Sequence, residues 1–220
     1  MKQFFSSLML ICLVAFTMPV SAQITHTANG SVDQQAEKIL KQAAQKMNAS
    51  AVSFNVAVVN RDSNKKQTST MKASVLYNKG SYRVEMGTNV LYCDGTAVWH
   101  WNKEVSEVTI NAVSTSDDDL MNPAKLLANY QKNYKAKYIR KENDGTAVID
   151  LTPKHRSSFY KIRMLINSST GVVKSMTMHG YDSSSSEYKV SNFKTGVSTK
   201  EADFKFSTSA HPEVEVIDMR

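Results

Sequence analysis

The chain has 220 residues, 41% of them hydrophobic, with 27 Lys and Arg against 20 Asp and Glu for a formal net charge of +7. That length supports a packed apolar core without help from disulfides or metals. The basic residues are spread along the chain instead of gathered in a block, which argues against a nucleic-acid reader and leaves a solvated surface with loose attraction to anionic headgroups.

Residues Met1 to Ala22 have the three parts of a secretory signal: Lys2 at the charged end, an apolar run from Leu8 to Phe16, and Val20-Ser21-Ala22 as a small-residue cleavage site before Gln23. The expectation is a cleaved leader over 1–22 and one exported domain over 23–220. Cys12 lies inside the apolar run behind Ile11, where a lipid-attachment site wants a small residue, so the protein is not read as a lipoprotein itself. Removing the leader leaves Cys93 as the remaining cysteine, hence no internal disulfide. No later run is long enough to span a bilayer, so the mature chain is expected in solution in the periplasm.

Ala36, Ile39, Leu40, Ala43, Ala44 and Met47 recur at helical spacing, with Ser31 and Gln34 placed as a capping box. From Val52 the period changes to two. Val52, Phe54, Val56 and Val58 face one way, and after a polar turn at Arg61 to Lys66 so do Met71, Ala73, Val75 and Tyr77. The alternation continues through Tyr82, Val84 and Met86, then Val90 to Cys93, Ala97 to Trp101, and Val108 with Ile110, separated by Asn78-Lys79-Gly80, Gly87-Thr88-Asn89 and Asp94-Gly95. A polar loop, Ser114 to Asp119, precedes a short helix opened by Asn122 and Pro123 and carrying Leu126, Leu127 and Tyr130. Strands resume at Tyr134 to Arg140, Ala147 to Leu151, Phe159 to Ile166, Val172 to Met178 and Tyr188 to Phe193. About eleven short antiparallel strands at hairpin spacing exclude a parallel α/β fold and predict a mainly β (α+β) barrel or sandwich.

A catalytic constellation is missing. There is no Gly-x-Ser-x-Gly elbow, His-Glu-x-x-His pair, phosphate-cradling loop or dinucleotide fingerprint, and His26, His100, His155, His179 and His211 are scattered singly. Asp117-Asp118-Asp119 lacks the glycine and closing glutamate of a calcium loop, and Cys93 sits among apolar neighbours without a basic helper. The chain is read as a non-enzyme with no cofactor and no metal.

Gly80-Ser81-Tyr82-Arg83-Val84-Glu85, followed by Asp94-Gly95-Thr96-Ala97-Val98-Trp99, resembles the paired strand signatures of the outer-membrane lipoprotein carrier (LolA) family. Pro123 with Leu126-Leu127, Leu151-Thr152-Pro153-Lys154, Phe204-Lys205-Phe206 and the ending Pro212 to Asp218 fit the same order. The resemblance implies an incomplete antiparallel barrel with helices across its open face. It also implies a monomeric carrier that receives acylated lipoproteins from an inner-membrane lipoprotein-releasing ABC transporter, through transient membrane-protein contacts, and passes them to an outer-membrane acceptor. Where the family has an Arg-Pro pair that latches the lid helices, this chain has Asn78 and Lys79. A short amide and a flexible ammonium replace a fork of donors, so a weaker latch is expected.

On that reading Phe54, Val56, Val58, Met71, Val75, Tyr82, Val84, Met86, Trp99, Trp101, Met164, Met176 and Met178 line an acyl cavity. Ile39, Leu40, Leu126 and Leu127 form its lid. Methionine suits such a lining because its unbranched thioether repacks around ligands of differing shape. By pattern alone the same residues also fit a closed core. Two other functions remain open at this level: a periplasmic lipid or lipoprotein sensor acting in signalling, and an exported enzyme whose site is assembled from distant residues.

Overall fold

The structure is a computed structural model that describes residues 33–113 and 123–220. The expected leader over 1–22, the Ser31 half of the capping box, the Ser114 to Asp119 loop and Asn122 lie outside the described residues.

Helix α1 (Gln34–Asn48) buries Ala36, Ile39, Leu40, Ala43 and Met47 along one stripe, as its 3.6-residue period requires. Its cap is Asp33: one carboxylate oxygen accepts the Ala36 N–H at 3.0 Å, and the other accepts the Tyr138 N–H at 2.8 Å. Six hairpin-connected strands follow: β1 (Val52–Arg61), β2 (Gln67–Asn78), β3 (Ser81–Met86), β4 (Asn89–Cys93), β5 (Ala97–Asn102) and β6 (Glu107–Ala112). Helix α2 (Pro123–Asn133) runs directly into a second meander of β7 (Tyr134–Lys141), β8 (Thr146–Pro153), β9 (Phe159–Asn167), β10 (Val173–Gly180) and β11 (Ser185–Thr195). Two short 3₁₀ turns lead to β12 (Glu215–Asp218).

All twelve described strands form one sheet in the order β12-β6-β5-β4-β3-β2-β1-β11-β10-β9-β8-β7. It is mostly antiparallel and does not close into a barrel. Sequence reading finds about eleven strands; the twelfth, β12, pairs parallel to β6, Val216 opposite Val108. Four residues with two apolar positions are too short an alternation to announce a strand.

The two meanders meet where β1 pairs with β11, Val56 opposite Val190 and Val58 opposite Tyr188. At the other limit of the sheet β7 presents Lys135, Lys137, Arg140 and Lys141, charges that discourage further pairing, and Asp33 occupies one of its amides.

Directly opposed residues of an antiparallel pair point to the same face, so the register assigns the faces. One row runs Val52, Tyr77, Tyr82, Cys93, and the next Phe54, Val75, Val84, Leu91. A third runs Met71, Val58, Tyr188, Met176, Met164, Ile149, Tyr138 across seven strands. Helices α1 and α2 pack on this inner face, and their apolar residues share one core with it.

Candidate functional site

The inner rows do not close on one another. Between them and the helices is an apolar cavity of about 150 Å³, lined from the sheet by Phe54, Val56, Val58, Ala73, Val75, Tyr77, Tyr82, Val84, Met86, Met164, Val173, Met176, Tyr188, Val190 and Phe193. Met47 of α1 and Leu126 with Leu127 of α2 complete it. No charged side chain belongs to this lining, and its three hydroxyls are those of Tyr77, Tyr82 and Tyr188. Burial pushes the Tyr188 phenol above its ordinary pKa. Burial does the same to Tyr77, partly countered by a backbone hydrogen bond at Gly80.

Of the residues named from the sequence, Phe54, Val56, Val58, Val75, Tyr82, Val84, Met86, Met164 and Met176 line this apolar cavity. Met71 shares the inner row of Val58 but is 49% exposed beyond the cavity, and Met178 packs half-buried against the core without reaching the void. Ile39 and Leu40 are buried beneath α1 as core, so the helix contributes Met47 to the lining in their place.

The two tryptophans are on the other side of the sheet. Trp99 lies opposite Tyr92, which lies opposite Arg83, while Tyr82 and Val84 point inward; Trp101 lies opposite Val90 and Val108. There, Trp99 joins Ala97, Val108, Ile110, Phe206 and Val214 in a second apolar cluster on the outer face, with Trp101 packed half-buried against it. The Trp101 ring lies 5.3 Å from Phe206 and 4.5 Å from His211, and among the described residues its buried Nε1 has no hydrogen-bond partner. The segment carrying Phe206 and Val214 covers the outer face of β5, while the inner face presents Val98, His100 and Asn102. The alternation of Ala97, Trp99 and Trp101 marks one apolar face of β5 without saying which side of the sheet covers it.

Ala73, Tyr77, Val173, Tyr188, Val190 and Phe193 also line the cavity, as does Met47. Tyr188 and Val190 pair in unbroken register with Val58 and Val56, whereas Phe193 lies at a register shift between Ser53 and Asn55 that breaks the simple count across the β1–β11 seam. Phe193 stacks on Phe54 across that seam, ring centroids 5.8 Å apart.

Helix α1 is tied to the sheet at several points. Besides Asp33, the Gln42 side chain donates to the Ser169 carbonyl at 3.0 Å, and the Tyr77 hydroxyl donates to the Asn48 side-chain oxygen at 2.9 Å. Gln131 of α2 donates to Glu37 of α1 at 3.0 Å. The expected latch position behaves differently. Asn78 points away from the inner face and donates to the Thr199 hydroxyl at 3.0 Å, and Lys79 occupies the turn with φ 48°. Its neighbour Tyr77 makes the bond to the helix instead.

The outer face carries the charged groups. Arg163 grips Asp150 with two bonds of 2.7 and 2.8 Å, and Lys161 stands 3.5 Å from the same carboxylate. Burial pushes Asp150 upward, but these cations outweigh it and hold the carboxyl below its usual range. Nearby, burial and then Lys161 and Arg163 lower the His179 imidazole. Among the described residues no set of three His, Cys, Asp or Glu is placed to hold a metal, and no helix is long and apolar enough to cross a membrane.

A family model described as outer membrane lipoprotein carrier protein LolA matches residues 45–207. No curated protein matches the chain in sequence. Among solved structures, an uncharacterized conserved protein from Thermus thermophilus superposes with a TM-score of 0.59 at 13% identity, covering 84% of this chain and 99% of that one. A LolA superfamily protein from Nitrosomonas europaea gives a TM-score of 0.45 at 16% identity, covering 78% and 97%. A chain of the Pseudomonas aeruginosa MucA/MucB complex gives 0.41 at 14% identity, covering 79% and 61%.

Proposed function

The chain belongs to the outer membrane lipoprotein carrier protein LolA family, and from that membership and the apolar trough under its helices we propose that it is a periplasmic carrier sheltering the acyl chains of lipoproteins in transit between membranes. The observation that carries this reading is an uncharged cavity enclosed by an open sheet and two helices, in place of a solid core.

Each acyl methylene taken out of water is worth roughly 0.8 kcal/mol. An acylated N-terminus left bare in an aqueous compartment therefore returns to a membrane or aggregates, and a carrier needs only to offer comparable shelter. A void of about 150 Å³ is the size that takes a benzene ring. Loading with a long chain thus requires the helices to move off the inner rows, breaking the Tyr77–Asn48 and Gln42–Ser169 bonds as they go. Met47, Met86, Met164 and Met176 then repack around whatever enters. No covalent chemistry is needed and the protein is not an enzyme. The uphill extraction falls to an ABC transporter that releases the lipoprotein, and delivery to an acceptor that grips more tightly.

The test is uptake of a fluorescent acyl probe by the purified protein. Wild type is expected to bind it, and Val56→Asp, which puts a carboxylate into the lining, to weaken binding at least about tenfold. Tyr181→Ser, at a position 73% exposed outside the cavity, is expected to bind as wild type. Absence of uptake, or equal loss in both variants, overturns the carrier.

A further inference from the structure

The apolar rows of the inner face stop at a definite place. Along β1 the inward positions Phe54, Val56 and Val58 are followed by Asn60, which lies opposite Ser69 on β2 and Ser186 on β11. The three side chains bond to one another: Asn60 donates to the Ser69 hydroxyl at 2.9 Å and the Ser186 hydroxyl donates to Asn60 at 2.7 Å. Over these central strands the trough therefore ends in a polar rim.

Tyr188 stands in the last apolar row before that rim, opposite Val58 and Met176. Of the three hydroxyls in the lining, that of Tyr77 is spent on Asn48. The Tyr188 hydroxyl has no hydrogen bond among the described residues, and it is not sealed from solvent. Because burial raises its pKa, it keeps its proton at neutral pH and is available as a donor.

Hydrocarbon contact is non-directional, so a purely apolar trough gives an acyl chain no preferred depth. A single donor at the polar end supplies one. We propose that Tyr188 is the polar anchor of the trough, donating to the carbonyl oxygen of an acyl ester or amide so that the chain runs inward over Val56 and the head sits over the Asn60 rim. This rests on the carrier reading and narrows its ligand class. The site selects an acyl group with its carbonyl, over a bare hydrocarbon or an ether-linked chain.

The shared chemistry occurs in the acylated N-terminus of a lipoprotein and in a diacyl phospholipid, and the experiment separates them. Binding of a fluorescent diacyl phospholipid is compared with that of its dialkyl ether twin of equal chain length. A synthetic triacylated peptide and an unlabelled phospholipid serve as competitors. Wild type is expected to bind the ester about 3- to 10-fold more tightly than the ether, the range of one hydrogen bond. Tyr188→Phe is expected to bring that ratio to about one with an unchanged melting temperature, since the hydroxyl loses no partner within the protein. Displacement by the peptide that weakens in Tyr188→Phe identifies the lipoprotein as the anchored ligand; the same pattern with phospholipid alone assigns the anchor to membrane lipid. A wild-type ratio of one, or a ratio that survives Tyr188→Phe, overturns the anchor while leaving carriage standing. Failure of both probes to bind overturns the trough itself.

Discussion

Tyr77 and Asn78 are adjacent at the end of β2 and face opposite ways, one to Asn48 of α1 and one to Thr199. A resemblance aligns positions, but alternation decides which of the two neighbours reaches the helix. Tyr77→Phe removes the bond and strands the Asn48 acceptor at a half-wet site. The expected cost is about 1 kcal/mol of stability, read by chemical denaturation, together with faster entry of an acyl probe in stopped flow. Asp150 gives a residue-scale prediction of another kind. Its folded-state pKa is depressed below the unfolded value of about 3.9, because Arg163 and Lys161 outweigh its burial. A depressed carboxylate contributes stability that is complete above the unfolded value and is lost as pH falls through the lower folded one. Melting temperature is therefore expected to decline below about pH 4, and Arg163→Gln to lower it at pH 7 while flattening that acid decline.

At the scale of the element, helix α1 is both core and cover. Its buried stripe is legible from the spacing of Ala36, Ile39, Leu40, Ala43 and Met47, whereas its anchoring is not, since Ser169, Tyr77 and Tyr138 come from three distant strands or turns. The β9–β10 turn shows how closely the helix is seated. Gly171 has φ +74°, and a Cβ built there would come 2.9 Å from the Gln42 carbonyl oxygen. Gly171→Ala is thus strained twice, by conformation and by contact. The expected result is a loss of about 1–3 kcal/mol and faster hydrogen exchange in α1 than in β8 or β9. The strands are the easiest elements to find, because hairpin turns separate clean alternations. Their faces are harder, as β5 shows: Val98 and Trp99 are both apolar, and a one-residue difference in turn length sends the larger side chain to the other side.

For the whole molecule, eleven of the twelve strands and both helices follow from patterning visible in the chain, and membership of the LolA family agrees with the open sheet they form. What patterning could not supply is the seam. Nearly all of the sheet's pairings join consecutive strands, but β1 and β11 come from opposite ends of the chain, Val52 opposite Thr195 and Arg61 opposite Ser185. Both sides of the cavity depend on that pairing, with Val56 and Val58 on one strand and Tyr188 and Val190 on the other.

The seam also sets an order of events. Hairpins within each meander close short loops, but joining β1 to β11 must wait until nearly the entire polypeptide has been delivered, and it carries the largest loop-closure entropy in the fold. Until then the inner rows of both halves lie open to water as two separate greasy surfaces. The nascent protein thus exposes apolar surface of its own, and the trough exists as an enclosed space only once β11 has joined β1.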